Sequence, residues 1–355
     1  MSVHTTRMED AVRRRTFLTG ATVAGLTAAD PVASATSGPP PAPTDPAAYA
    51  VETARLRGRY WIEEPAHLFP AAAEHVRLGV RLLAERPSGP HCAAVSETAL
   101  LASRIAFFDL SLRGARVRRW QDLALTAADR AGDDALAAAV LGHMAFAPAW
   151  SDRGAEARDT LAAARERTRR AEAGPTLHAW VDAIAAEAEV RLGTPEAAFP
   201  LLDRAADTYA PPQSPGSWTE AGPPVWLDWF SVARLEGFRG AAEVAAGRTG
   251  PARASLERTL TGLAAHSHKQ RAVTLAELAA TSVRAGEPRD ACRLLEQALD
   301  LVGLQGYATA VDRVRTVRAT LAPWSREPFV REVDDRLRGR AAAATGGETD
   351  GGLPT

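Results

Sequence analysis

The chain has 355 residues, 46% of them hydrophobic and 24% charged, which suits one large domain or an elongated repeat array able to bury a core. Forty-two basic residues face 43 acidic ones for a net charge of −1, and this balance argues against a surface that grips nucleic acid or an anionic membrane over its whole extent. Two cysteines, Cys92 and Cys292, make neither a disulfide framework nor a thiolate metal cluster, and Lys269 is the only lysine among the cations.

Residues 1–47 read as an N-terminal arm and linker. The arm carries Arg13-Arg14-Arg15-Thr16-Phe17-Leu18, and an apolar stretch follows from Phe17 to Ala29. Its 13 residues fall short of the about 20 that a spanning helix needs, so no integral membrane segment is expected. Arg14, Arg15, Phe17 and Leu18, with Ala33-Ser34-Ala35 beyond, have the outline of a twin-arginine export signal cleaved after Ala35. Asp30 and Pro31 interrupt the apolar run, which favours a cytoplasmic protein in which the arm is a helical connector. A few phosphate contacts from the same arginines are a third reading. Residues 36–47 are rich in proline, which removes amide donors and disfavours helix, so they form the linker.

From Ala48 to Arg340 the pattern is helical, with alanine abundant and apolar residues three and four apart, as in Leu294, Leu295, Ala298, Leu299 and Val302. No stretch alternates at period two, so no strands are expected, and glycine and proline are read as falling between the helices. Residues 341–355, with Leu353 their one large apolar side chain, read as a disordered tail.

Internal repeats set the expected architecture. Gly193, Gly247 and Gly286 each stand ahead of a small residue and an apolar helix: Ala198 with Leu201, Leu202 and Ala205; Ala252 with Leu256; Ala291 with Leu294, Leu295 and Ala298. Weaker copies centre on Trp120 and Ala157. The small-residue positions Trp120, Ala157, Ala198, Ala252 and Ala291 are separated by 37, 41, 54 and 39 residues, and the long gap contains the proline-rich insert Pro211 to Pro224. A small residue lets two antiparallel helices approach, and each pair must bury its remaining apolar face on the next. The expected fold is all-α, a tetratricopeptide-like α-solenoid over 48–340, with a period slightly longer than the standard of about 34 residues.

These repeats resemble the tetratricopeptide-like C-terminal regions of actinobacterial Xre-type helix-turn-helix regulators. Further matching features are the Arg-Arg-x-Phe-Leu arm, Glu189-Val190-Arg191-Leu192-Gly193 before a turn, Trp226-Leu227-Asp228-Trp229-Phe230, and the ending Arg315 to Pro323. Such regulators carry a DNA-reading domain ahead of the repeats. Here only 12 residues precede Arg13, so no sequence-specific nucleic-acid binding is expected of this chain.

Nucleotide, hydrolase and zinc-protease motifs are missing, and the expectation is a non-enzymatic chain without cofactor or metal. His266 and His268 flank Ser267 without a third ligand, and His91-Cys92 lacks an orienting partner, so both read as structural. His67, His75, His143 and His178 read as core or surface histidines.

The resemblance implies that the first helix of each pair lines a concave face. Carrying the family's groove spacing back from the small residues names Asp109, Phe146, Trp180, Glu187 and Arg234 as a groove for a peptide or protein partner. Trp180 and Phe146 read equally well as core anchors. Trp226, Trp229 and Phe230 read as a helix start packed on its neighbours, or as a cap on the groove. The expected function is a regulatory or scaffold protein that holds a partner there. A twin-arginine-exported repeat protein is the alternative, and a hydrolase with an unrecognised site is a third.

Overall fold

The computed structural model describes residues 45–209 and 224–346. Contacts separate Met1–Ala42 from Pro43–Thr355, and all that follows concerns the second unit. The expectations placed on Arg14, Arg15, Phe17, Leu18 and the cleavage after Ala35 lie outside the described residues. Among the described residues the fold is all-helical and without strands.

Helices α1 (Pro46–Arg59), α2 (Pro65–Glu85) and α3 (Gly89–Arg104) lead into a π-helical turn, Ile105–Asp109. Then come α4 (Ala115–Ala131), α5 (Asp134–Met144), the single turn α6 (Phe146–Ala149), α7 (Gly154–Arg170), α8 (Pro175–Arg191) and α9 (Ala198–Tyr209). After the insert follow α10 (Val232–Ala245), α11 (Thr249–Gly262), α12 (His268–Arg284), α13 (Pro288–Gln305), α14 (Ala308–Thr320) and α15 (Pro328–Gly346). The helical body expected from Ala48 starts at Pro46, because Asp45 accepts a hydrogen bond from the Ala48 amide at 2.9 Å and proline fits the first helical position. At the other end α15 runs past Arg340 to Gly346, carried by consecutive alanines with high helix propensity.

Helices pack most extensively as α3 on α4, α5 on α7, α8 on α9, α10 on α11 and α12 on α13. The first members also touch in series, α3 on α5, α5 on α8, α8 on α10, α10 on α12 and α12 on α14. Ala157, Ala198, Ala252 and Ala291 are fully buried at these pairings, as are Leu202, Leu256 and Leu295 beside them. Trp120 is also buried in its slot, stacked edge-to-face with Phe69.

The turns between the helices of a pair share one geometry. Gly193, Gly247 and Gly286 have φ of 76°, 76° and 77°, a left-handed conformation that favours glycine. In each, the following amide reaches back to close the helix end: Thr194 N to Glu189 O at 2.9 Å, Arg248 N to Glu243 O at 2.8 Å, Glu287 N to Ser282 O at 2.9 Å.

Glycine and proline also occur inside helices, contrary to expectation. Pro70 lies within α2. A Cβ on Gly79 would fall 2.4 Å from the Tyr49 hydroxyl, one on Gly142 2.5 Å from the Trp180 ring, and one on Gly240 2.6 Å from Leu256. Helix propensity is given up at these positions because a large side chain from a neighbouring helix occupies the space.

Segments distant in sequence meet. Thr309 Oγ1 donates to the Phe108 carbonyl at 2.8 Å, and Trp61 Nε1 donates to Asp228 at 2.9 Å. Thr309 and Trp61 both line the wall of a cavity that is partly open to solvent.

Candidate functional site

A cavity of about 130 Å³ lies between the first members of the helix pairs. Its wall is strongly aromatic: Phe108 from the π-helical turn, Phe146 and Trp150 from the α6 region, Trp180 from α8, Trp229 and Phe230 from the segment before α10, and Tyr307 before α14. The π-helical turn closes with Leu110 N on Ile105 O at 3.0 Å. Its wide spacing sets Phe108 edge-to-face on Phe146, with ring centroids 5.0 Å apart. Trp180 and Trp229 meet at 5.8 Å, and His143 lies 5.0 Å from each of them.

His143 is buried, and its Nδ1 lies 2.8 Å from the Ala139 carbonyl. Burial, reinforced by the charge of Arg104, pushes its pKa down to about 3, so the ring is neutral at pH 7.

The charged groups are arranged mostly in pairs. Lys269 Nζ is 2.5 Å from Asp109 Oδ1, Arg191 is 2.8 Å from Glu187, and Arg313 is 2.7 Å from Glu277. Burial raises the Asp109 carboxyl to about 6 against the pull of Lys269, and lowers the Lys269 ammonium in turn. Burial acts to raise Glu187 as well, yet Arg191, Arg313 and Arg234 together hold it below the usual carboxylate range. Burial and Asp109 push Tyr307 up to about 12, so it remains a neutral hydroxyl.

Arg104 and Arg234 stand apart. No carboxylate of the described residues lies within 4.0 Å of either, and neither guanidinium has a hydrogen-bond acceptor among them. Arg104 is 5% exposed, with its guanidinium carbon 4.4 Å from the ring centroids of both Tyr60 and Trp229. Arg234 is half-buried, 5.1 Å over Phe238.

Of the five residues named from the repeat spacing, Phe146, Trp180, Glu187 and Arg234 line this one cavity. Asp109 does not line it, being held behind Lys269, which does. Trp180 is 2% exposed and is a core anchor as well as a wall residue. Trp229 and Phe230 also line the cavity, from a non-helical turn and not from a helix start, since α10 begins only at Val232, where Ser231 accepts a hydrogen bond from the Arg234 amide. Trp226 stacks on Trp229 from behind at 5.9 Å.

Sequence reasoning missed Arg104, Arg191, Arg313 and Lys269. The only lysine of an arginine-rich chain was a usable signal, and so was Arg104, the sole basic residue in the apolar stretch from Ala93 to Phe108. His91 and Cys92 are buried at the start of α3. Among the described residues no group of three His, Cys, Asp or Glu could hold a metal ion, and no helix is long and apolar enough to cross a membrane. Comparison with protein-family models and with curated proteins finds no match.

Proposed function

We propose that this chain is a non-enzymatic regulatory or scaffold protein, a tetratricopeptide-like α-solenoid akin to the C-terminal region of Xre-type regulators, which holds a peptide segment of a partner in this cavity. The observation that carries the reading is that residues from successive helix pairs, Phe146, Trp180, Glu187 and Arg234, converge on one aromatic cavity. Rings give contact area at low entropic cost, and the charged groups between them supply orientation. Because the first members of the pairs touch in series, an occupant that draws them together would change the rotation from pair to pair, and those rotations sum along the chain.

Panning a displayed library of random peptides against the folded chain tests this. A recovered peptide should bind Trp180→Ala and Arg234→Glu weaker by about tenfold or more. Unchanged affinity for both variants would count against the cavity as the binding site.

The proposed compartment is the cytoplasm. Export by the twin-arginine route is favoured by Arg14, Arg15, Phe17 and Leu18 with Ala33-Ser34-Ala35. Mass spectrometry of the mature N-terminus separates the two, since a chain starting at Thr36 in the medium would establish export.

A further inference from the structure

We propose that the cavity selects an organic anion, a carboxylate carried on an apolar or aromatic body, and that Arg104 and Arg234 hold the carboxylate. This rests on the reading of the cavity as a binding site and adds the chemistry of its occupant.

Lys269, Arg191 and Arg313 each have a carboxylate within 2.8 Å. Arg104 and Arg234 have none among the described residues. Arg104, 95% buried, acts on Asp109 only through space and has no carboxylate within 4.0 Å among the described residues, which leaves a place at the cavity wall for a negative group from outside to pair with it directly. Cation–π contact compensates Arg104 only in part. The ring centroids of Tyr60 and Trp229 lie 4.4 Å from its guanidinium carbon, and the N–H donors along the guanidinium edge have no acceptor among the described residues. That edge is the fork that pairs with a planar carboxylate through two parallel hydrogen bonds.

The remaining polar groups agree in sign. The indole Nε1 atoms of Trp150 and Trp229 are buried with no acceptor among the described residues, and both side chains belong to the cavity wall. The carboxylates of the wall, Glu187 and Glu277, are already paired. His143, neutral, neither adds to nor cancels the positive charge. The aromatic rings leave an apolar body as the complement for the rest of the occupant.

One chemistry has two sources: the C-terminal carboxylate of a peptide, or a free organic acid. Calorimetric titration of the full chain with 2-naphthylacetate and with its neutral isostere 2-naphthylacetamide tests the charge. The acid should bind at least about tenfold tighter than the amide. Arg104→Gln should remove that preference, with Arg104→Lys restoring part of it. Arg234→Gln, whose folding is checked by circular dichroism and thermal unfolding, should reduce it independently. Equal affinity of acid and amide for the wild-type chain, or a preference that survives both Gln variants, overturns the anion proposal and leaves the cavity reading standing. Binding of neither compound overturns both.

Displacement then distinguishes the sources. An apolar peptide with a free C-terminus that displaces 2-naphthylacetate, while its C-terminal amide does not, assigns the site to a peptide end. Failure of both peptides assigns it to a free acid. Displacement by both peptides equally overturns carboxylate recognition.

Discussion

The single lysine of the chain, Lys269, places its Nζ 2.5 Å from Oδ1 of Asp109, joining α12 to the π-helical turn after α3. Both side chains are almost completely buried, and Lys269 Nζ also sits 3.7 Å from the Tyr60 ring centroid. A compact ammonium fits between carboxylate and ring where the broader fork of arginine would not. The one departure from arginine thus marks a point where helices distant in sequence are locked together.

Removing either partner leaves the other buried and unpaired. Asp109→Asn and Lys269→Met should each lower unfolding stability by about 3–5 kcal/mol, and the double variant should lose clearly less than the sum. Urea denaturation of the three variants measures this, and strict additivity would show the pair to be uncoupled.

His143 gives a pH dependence of fixed sign. Its pKa of about 3 in the folded chain lies below the unfolded value of 6.5, so between these limits the unfolded state binds a proton that the native state does not. The contribution is fully present above about pH 6.5 and is lost as pH falls toward 3, by about 1.4 kcal/mol per pH unit. Asp109, raised to about 6, acts in the opposite direction: its contribution is present below the unfolded value of 3.8 and is lost as pH rises through about 6. Comparing His143→Gln with wild type isolates the histidine. The variant's stability should fall less steeply between pH 6.5 and 4.5, and parallel curves would contradict a neutral buried ring.

Two Gly→Ala substitutions should have opposite signs. At Gly142 the new methyl would lie 2.5 Å from the Trp180 ring, and overpacking should cost about 1–3 kcal/mol despite the gain in helix propensity. At Gly58, exposed in α1 with open space around it, Ala should stabilise by about 0.5–1 kcal/mol. Thermal unfolding of both reads the contrast.

The repeated turns predict a repeated penalty. Gly193→Ala, Gly247→Ala and Gly286→Ala should each cost about 1–2 kcal/mol, since L side chains avoid φ near 76°. Similar losses at all three would identify one turn used three times, whereas a neutral result at any of them would show its backbone free to relax.

Much of this was legible in the chain itself. Helix periodicity, alanine content, the turn glycines and the recurrence of Ala157, Ala198, Ala252 and Ala291 all depend on residues near each other in sequence, so all-helical structure followed from local physics. Phe146 from α6, Trp180 and Glu187 from α8 and Arg234 from α10 line one cavity. The helix-internal glycines were misjudged, because the side chain that requires each one comes from another helix.

What the sequence determined, then, was the helical unit and its spacing, both governed by interactions within a few turns. What tertiary structure decided was which charges are matched and which distant segments touch: Thr309 on Phe108, Trp61 on Asp228, and Arg104 beside the Tyr60 and Trp229 rings with no carboxylate within 4.0 Å among the described residues. Those outcomes depend on contacts between residues far apart in sequence, which no local pattern encodes.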